Sequence, residues 1–419
     1  MSDLPDAKRP SPGFADAKPS STPGPDARPV GRPGAKGAAA RPDACAVILA
    51  AGLSSRMAGP LKPVLPLAGE TPLSRLAETF RRAGLTDIIV AGGHRQTEVA
   101  AEAGRLDLRF VFNPYYESGM FSTVKAALAA VPETCRRLLL TPADIPLFRP
   151  ATVTRLLDRA EAPDAPPVLY PTFGGERGHP PCLDAALLPA VLAYGGDDGL
   201  RAALAPFPQA GVAVPDELIL ADMDTPADHA RLDARAGRLG IPSVAEAEAL
   251  LAVEAVPPQG LAHARAVAAV AVGLARSLRD AGAALDLELV EAAALHHDVA
   301  KGRPKHEQAG GELLFALGFE AAAAIVAAHR DIALPEGDPV TEREIVYLAD
   351  KFVHGRQLVP VPVRFGQKID LFAHDPEAVA AITRRRQNAL TVLARVEAGL
   401  SRPLPDILAD TGLAWETLP

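Results

Sequence analysis

Several large protein classes are excluded by what this 419-residue sequence has little of. Its three cysteines, Cys45, Cys135 and Cys182, lie far apart and form no CxxC. A disulfide scaffold and a thiolate metal site are therefore ruled out, and a reducing, cytoplasmic setting is expected. No uninterrupted apolar run reaches the length of a transmembrane helix, so a membrane is not an expected partner. There is no positive excess either: the formal net charge is −8, which argues against nucleic acid as the default partner. An anionic nucleotide would need local positive charge. Residues 1–42 lack large apolar side chains almost completely and are rich in Pro, Gly, Ala, Ser, Asp and Lys. Such a segment cannot offset its chain entropy by burial, and it has no signal-peptide core, so a disordered, solvated leader is expected.

What remains is long enough for two domains, each with its own core. From 43 to about 235 the pattern alternates as βαβ units do. Strands are predicted at Val47–Ala50, Asp87–Ala91, Leu108–Phe112 and Arg137–Thr141, with helices at Pro72–Ala83, Glu98–Ala103 and about Ser122–Ala130 between them. The expected fold is a doubly wound, mostly parallel α/β sheet covered on both faces. Residues 236–260 read as a linker containing a short Ala/Glu helix and ending in Val256-Pro257-Pro258-Gln259-Gly260. Beyond it, helical patterns at 261–281, 286–299, 307–329 and 341–354 predict an all-α domain over 261–355, with a loop at 332–340. Residues 356–419 read as irregular chain, a helix at 376–398 and a Pro-bounded tail that extend this domain.

The chain is organised around 47–69, VILAAGLSSRMAGPLKPVLPLAG. A short buried strand empties at Gly52 into a loop carrying Ser54, Ser55, Arg56 and Gly59, with Lys62 after it. Backbone N–H groups, a guanidinium and an ammonium thus gather at one end of a sheet, the arrangement that binds triphosphates in many open α/β sheets. The loop is neither GxxxxGK[ST] nor GxGxxG. Further along, Leu138–Pro146 is a strand that ends in Asp144. That carboxylate is placed either to hold Mg²⁺ beside a triphosphate or to cap the following turn.

The stretch Leu49-Ala50-Ala51-Gly52 … Ser54-Ser55-Arg56-Met57 … Lys62 resembles the opening signature of the MobA-like nucleotidyltransferases. Other stretches match that family in order. Asn113–Ser122 resembles its NPxxxxGMxxS element, which approaches base and ribose. Gly178-His179-Pro180 resembles its GHP turn on the acceptor side, although His179 could equally serve the turn alone. Gly196-Asp197-Asp198-Gly199 resembles a loop that often carries an acceptor-side acid, here Asp198. Asp222-Met223-Asp224-Thr225-Pro226 resembles DIDTP, whose first carboxylate completes the metal site; Asp224 and Thr225 are as readily N-caps of the next helix.

The resemblance implies a nucleotide-diphospho-sugar transferase-like fold and in-line attack of an acceptor phosphate on the α-phosphorus of an NTP, with release of pyrophosphate. It implies a nucleotide site of Leu49, Ala50, Ala51, Gly52, Ser54, Ser55, Arg56, Lys62, Asn113, Gly119, Ser122 and Asp144, and Mg²⁺ on Asp144 and Asp222. Catalysis would be positioning and charge neutralisation by Arg56, Lys62, Asp144 and Asp222. LAAG, rather than LAGG, favours CTP. The acceptor would be a small phosphorylated molecule, molybdopterin among the candidates, with a sugar or polyol phosphate as the rival. A nucleotide-binding regulator with a non-catalytic second domain is the rival from outside enzymes.

In the helical half, His263, His297-Asp298, His306, His329 and Asp350 lie on separate predicted helices, with Lys301 three residues beyond the pair. Imidazoles and carboxylates without sulfur suit a divalent transition metal such as Mn, Fe, Co or Zn. The order resembles the HD superfamily of metal-dependent phosphohydrolases. That resemblance implies a core set of His263, His297, Asp298 and Asp350, with His306 and His329 as added ligands and Lys301 near the developing charge. His296 reads as a helix neighbour without a metal role.

Overall fold

The computed structural model describes residues 39–52, 61–196, 198–329, 332 and 334–416. Strand β1 (Ala44–Ala50) is buried along its whole length. Its alternate residues serve two cores: Ala44, Ala46, Ile48 and Ala50 enter one, and Cys45, Val47 and Leu49 the other. A strand covered on both faces must be apolar throughout, which is why Val47–Ala50 reads as a run and not as an alternation. Parallel neighbours flank β1: β2 (Asp87–Gly92) with β3 (Arg109–Phe112) beyond it on one side, and β4 (Arg137–Pro142) on the other. The sheet continues through β5 (Val168–Phe173), β6 (Glu176–Arg177), β7 (Cys182–Asp184) and β8 (Gln209–Ala213) in the order β3-β2-β1-β4-β7-β5-β6, with β8 on β5. The β4–β7–β5–β6 pairings are antiparallel, and β5–β8 is parallel again.

Helices α1 (Pro72–Arg82), α2 (Gln96–Arg105) and α4 (Pro150–Ala160) supply the core on one face of the sheet. Helices α3 (Met120–Leu128), α5 (Leu188–Ala193) and α6 (Gly199–Leu204) supply the other. This is the expected doubly wound arrangement. Helix α7 (Pro226–Ala236) closes the domain, capped by Thr225 and Asp228 in a reciprocal box. Most of the 1–42 segment lies outside the described residues. Its end does not behave as leader, because the Arg41 amide donates to the Gly84 carbonyl (2.8 Å) and its guanidinium pairs with Asp158.

The segment read as a linker is not a spacer over α8 (Val244–Val253). Ala247, Leu250 and Leu251 of this helix are buried in the C-terminal core. An Ala/Leu-rich helix cannot stay in solvent beside an apolar face that it can cover. That core is built on α9 (Pro258–Asp280), against which α10 (Leu287–His296), α13 (Glu342–Phe352) and α16 (Leu404–Asp410) pack. By length and composition α9 could cross a membrane, contrary to the reading that no apolar run is long enough; 61% of its apolar window is buried inside the protein. The pattern over 307–329 splits into α11 (His306–Ala316) and α12 (Glu320–Val326) at Gly318, whose φ of +87° only glycine adopts readily. The irregular chain expected after 355 is also more ordered than its composition suggests. It forms a short hairpin, β9 (Val353–His354) with β10 (Gln357–Leu358), then α14 (Val361–Leu371) and the long α15 (Pro376–Gly399).

A buried charge network joins the two cores. Arg149, at the N-cap of α4, reaches Asp216 (2.9 Å), the Glu246 carboxylate of α8 and the face of Phe319 (4.4 Å). Glu246 also takes Arg235 of α7 (2.6 Å) and closes the α8 capping box with Ser243.

Candidate active sites

In the N-terminal domain the functional groups collect beyond the carboxyl ends of β1 and β4. The Ala143 amide donates to the Leu49 carbonyl (2.9 Å), extending the ladder so that Asp144 follows at the carboxyl end of the sheet. The Met223 amide donates to the Asp144 carbonyl (2.9 Å), which brings the Asp222–Asp224 stretch alongside. Lys62, at the start of a 3₁₀ turn, reaches into this corner. Its ammonium lies 2.6 Å from Asp224 and 3.2 Å from Asp144, with 13% of its side chain exposed. Burial works against that charge, but Asp224 and Asp144 outweigh it and hold the Lys62 pKa above its ordinary value. Asp222 is pushed the other way: burial and the neighbouring Asp224 and Asp144 carboxylates raise its pKa. A crowd of carboxylates that raises a member's pKa favours a bound cation, so the donor set fits Mg²⁺.

Asp224 is the residue that the sequence reading left out of this site. Thr225 is the N-cap of α7, and Asp224 instead binds Lys62. The signal lay in the alternation: Met223 is fully buried, so the carboxylates on either side of it both turn to the cleft.

The remaining predicted residues are distributed unevenly. Leu49, Ala50 and Ala51 are buried at the end of β1, and Gly52 is exposed beyond them. Ser54, Ser55 and Arg56 lie outside the described residues. Asn113 is buried; its amide donates to Ser122 (2.9 Å) and Thr123 (3.0 Å), and its carbonyl accepts from the Tyr115 amide (2.9 Å). Ser122 in turn donates toward the Tyr115 and Gly119 carbonyls (both 2.8 Å). Asn113 and Ser122 thus shape the loop, and the exposed Gly119, at φ +98°, makes its sharp bend. Gly178 must be glycine because a Cβ there would meet the Ile219 carbonyl oxygen at 2.5 Å. His179 follows, its amide on that carbonyl (2.9 Å), its Nδ1 buried without a hydrogen-bond partner among the described residues and its pKa lowered by burial. Asp198 is exposed at the N-terminus of α6, and among the described residues no hydrogen bond ties it to the Lys62 cluster.

The C-terminal centre is more completely assembled. Helix α9 brings His263, the end of α10 brings His297 and Asp298, the start of α11 brings His306, the end of α12 brings His329, and α13 brings Asp350. Lys305 at φ +49° and Gly302 at φ +97° turn the chain back so that His306 faces Asp298. Among the described residues, two groups have donor atoms within 4.8 Å of one another: His263–His297–Asp298 and Asp298–His306–His329. Asp298 is common to both. Lys301 lies 2.6 Å from Asp298 with 67% of its side chain exposed. His296 is not part of this centre; its Nε2 bonds the Ala247 carbonyl of α8 (3.1 Å).

Tautomers follow from the backbone. His297 Nδ1 lies 2.7 Å from the Ala294 carbonyl, His329 Nδ1 2.7 Å from that of Val326, and His263 Nδ1 3.1 Å from that of Gly355. A carbonyl only accepts, so each Nδ1 carries a proton and each Nε2 is the nitrogen turned to the centre. Those Nε2 atoms face carboxylates: His297 Nε2 is 3.6 Å from Asp298 and 3.9 Å from Asp350, His329 Nε2 is 3.7 Å from Asp298, and His263 Nε2 is 3.5 Å from Asp350. His306 Nε2 lies 3.4 Å from Asp298. Among the described residues, the buried His297 Nε2 has no hydrogen-bond partner. Burial pushes His297 down to about 4, so it is neutral near pH 7. Burial also opposes charge on Asp298 and Asp350, yet the surrounding imidazoles and cations hold both well below the usual carboxylate range. At His297, whose imidazole is neutral near pH 7, the Nε2 lone pair and the ionised carboxylates beside it repel unless a cation lies between them. The donor set therefore fits divalent metal, with nitrogen and oxygen ligands only.

Known proteins divide the chain in the same way. The MobA-like NTP transferase domain model matches residues 46–212, and the HD domain model matches residues 260–354. Among curated relatives, nicotine blue oxidoreductase of Paenarthrobacter nicotinovorans is 33% identical over 160 residues, covering 37% of this chain and 78% of that protein. The bifunctional protein GlmU of Azorhizobium caulinodans is 42% identical over 113 residues, 26% of this chain and 25% of its own length. The bifunctional IPC transferase and DIPP synthase of Rubrobacter xylanophilus is 39% identical over 132 residues, 29% of each chain. A solved structure of a nucleotidyl transferase from Methanothermobacter is 23% identical with a TM-score of 0.41, covering 46% of this chain and 96% of that one.

Proposed function

The chain belongs to the MobA-like NTP transferase family and carries an HD domain, and on that premise we propose that it is a bifunctional, cytoplasmic enzyme of phosphate chemistry. The N-terminal domain transfers a nucleoside monophosphate, CMP in preference to GMP, from its triphosphate to a small phosphorylated acceptor and releases pyrophosphate. The observation that carries this reading is Lys62, held between Asp144 and Asp224 beyond the end of β1. Mg²⁺ on Asp144 and Asp222 would supply charge neutralisation for the triphosphate. Lys62 then places an ammonium beside it. An acceptor phosphate oxygen attacks the α-phosphorus in line, and the pyrophosphate departs without a covalent enzyme intermediate. Molybdopterin and sugar or polyol phosphates are the candidate acceptors. The oxidoreductase name belongs to the Paenarthrobacter relative; the lysine–carboxylate corner favours transfer here.

The C-terminal domain acts as a metal-dependent phosphohydrolase. Divalent cations at the two histidine groups would supply Lewis acidity toward a water and a phosphoryl oxygen. Asp298 belongs to both groups, and Lys301 holds an ammonium against Asp298 at the open edge of the centre. The test is pyrophosphate release by the full chain with Mg²⁺, a panel of NTPs and acceptors including molybdopterin. Phosphate release from a generic phosphoester with Mn²⁺ is measured in parallel. No pyrophosphate with any acceptor would reduce the N-terminal site to binding, the role of a nucleotide-sensing regulator.

A further inference from the structure

Beside the C-terminal centre lies a group of cations that the reaction above does not use. Asp350 pairs with Lys351 (2.6 Å) and with Arg364 of α14 (3.4 Å) while also facing His263 and His297. Arg364 is anchored by the Asp350 and Val353 carbonyls, so its guanidinium is fixed in place. Lys368 follows one turn later on the same face of α14, exposed to solvent, and Arg385 of α15 lies near enough to act on it. Although Lys368 is exposed overall, partial desolvation of its ammonium and the charges of Arg364, Lys351 and Arg385 push its pKa down, against a pull from Asp350. Arg364, Lys368 and Arg385 lie outside residues 260–354, which match the HD model, so this chain's C-terminal extension supplies them.

Asp350 is oversubscribed. If it helps to hold a divalent cation, it cannot also neutralise an ammonium and a guanidinium. With the centre loaded, Lys351, Arg364 and Lys368 become a fixed positive field next to further positive charge. Like charges held together in this way favour a polyanion spanning both places.

We propose that the C-terminal centre cleaves a phosphoanhydride, with the scissile phosphate at the histidine groups and the neighbouring phosphate on Lys351, Arg364 and Lys368. This rests on the phosphohydrolase reading given above. Water oxygen forms a new bond to one phosphorus, the bridging P–O bond breaks with its electron pair leaving on the second phosphate, and the water protons end on the two phosphates released. Two sources of this linkage exist: inorganic pyrophosphate, which the N-terminal reaction would release, and a nucleoside triphosphate. Removing pyrophosphate in the same chain would draw nucleotidyl transfer forward.

The experiment uses the full chain loaded with Mn²⁺ and no acceptor. Orthophosphate release is followed from pyrophosphate, from CTP and from p-nitrophenyl phosphate. An anhydride is expected to exceed the monoester in kcat/KM; cleavage of pyrophosphate but not CTP assigns the transferase product, and the reverse assigns the nucleotide. Lys368→Gln should raise the KM for the anhydride about tenfold, the equivalent of one lost charged contact, with kcat and monoester turnover held and Lys368→Arg restoring the KM. Binding of non-cleavable imidodiphosphate, titrated in a Lys62→Ala background to silence the N-terminal site, should weaken by the same factor. A monoester preferred over both anhydrides, or equal loss on every substrate in Lys368→Gln, overturns the proposal. Absent turnover with Lys368-dependent imidodiphosphate binding sinks the hydrolase reading and leaves the diphosphate subsite standing; unchanged binding removes the subsite.

Discussion

The two candidate centres of this chain gather their charged groups by opposite means. The C-terminal one is built from side chains locked by their own helices. Each of His263, His297 and His329 is fixed by an Nδ1 contact to a backbone carbonyl, and the buried His297 is neutral and oriented before any ligand arrives. The N-terminal one is built from strand ends and loops, with Lys62 occupied by Asp144 and Asp224. A nucleotide with its metal must displace or share that ion pair. A preformed site binds metal by itself; a site of paired charges needs the metal and the triphosphate together.

The sharpest way to break the comparison is to remove one carboxylate from each centre. Asp298→Ala takes a donor from both histidine groups at once, so phosphoester hydrolysis should fall by several orders of magnitude, about the 10²–10⁴ of a lost acid–base or charge partner or more. Pyrophosphate release should be unaffected. Asp144→Asn should do the reverse. The two assays are run on each purified variant with circular dichroism as the check on folding. If either variant loses both activities while folded, the centres are not independent.

Independence in chemistry does not mean independence in folding, and Arg149 tests the second. Its side chain is 5% exposed, and it bridges Asp216 of one domain to Glu246 and Phe319 of the other. Arg149→Met would leave Asp216 buried without a guanidinium and Glu246 with Arg235 alone, a loss of about 3–5 kcal/mol. The urea midpoint should fall accordingly, and the transition should divide into separate steps for the two cores. A single transition with an unchanged midpoint would show that the network contributes nothing to the junction.

Much of this arrangement was legible in the sequence, for reasons that also mark where legibility stops. Strand β1 announces itself because both of its faces are covered, and the histidines and aspartates of the C-terminal centre keep their order along successive helices. An Asp-Thr-Pro run before a helix reads as a cap, so Asp224 does not stand out in the sequence; only its contact with Lys62, 162 residues away, shows its place. Asn113 reads as part of the nucleotide site, and its side-chain bonds to Ser122 and Thr123, which shape that loop, are set by packing and not by the motif. Helix α14 was read as irregular because Pro360, Pro362 and Gly366 weaken its local signal, while burial of Val361 and Phe365 against the core decides the matter. Pairing of Arg149 with Asp216 and Glu246 is a choice made by tertiary packing, which no local pattern encodes.

Metal alone should also separate the centres. Mn²⁺ or Co²⁺ added to chelator-treated protein should raise the thermal midpoint, since a ligand at a hundred times its Kd stabilises by about 2.7 kcal/mol. Mg²⁺ without nucleotide should shift it little, because Lys62 already occupies Asp144 and Asp224. Differential scanning calorimetry of the full chain decides this. A Mg²⁺ response as large as that of Mn²⁺ would mean that the N-terminal carboxylates are as preformed as the histidines.

The smallest expected effect concerns the base, where a single methyl group is at stake. Ala51 ends the buried part of the nucleotide loop, 8% exposed. Its neighbour across the sheet end is Gly93, where a Cβ would meet the Ala51 Cβ at 2.9 Å and the Tyr116 Cβ at 2.4 Å. The corner between Ala51, Gly93 and Tyr116 is thus filled to the last carbon. If the base lies on the backbone at 51, that methyl occupies volume which a purine needs and a pyrimidine leaves free. One methyl in a fitted pocket is worth about 1–3 kcal/mol, roughly ten- to two-hundred-fold. The wild-type enzyme should therefore prefer CTP to GTP. Ala51→Gly should relax the preference without reversing it, because Leu53 and the Asn113–Ser122 loop share the choice. The measurement is the ratio of kcat/KM for the two nucleotides in both forms with the acceptor found in the pyrophosphate assay. A wild-type preference for GTP, or an Ala51→Gly variant with an unchanged ratio, would place the base elsewhere along the cleft.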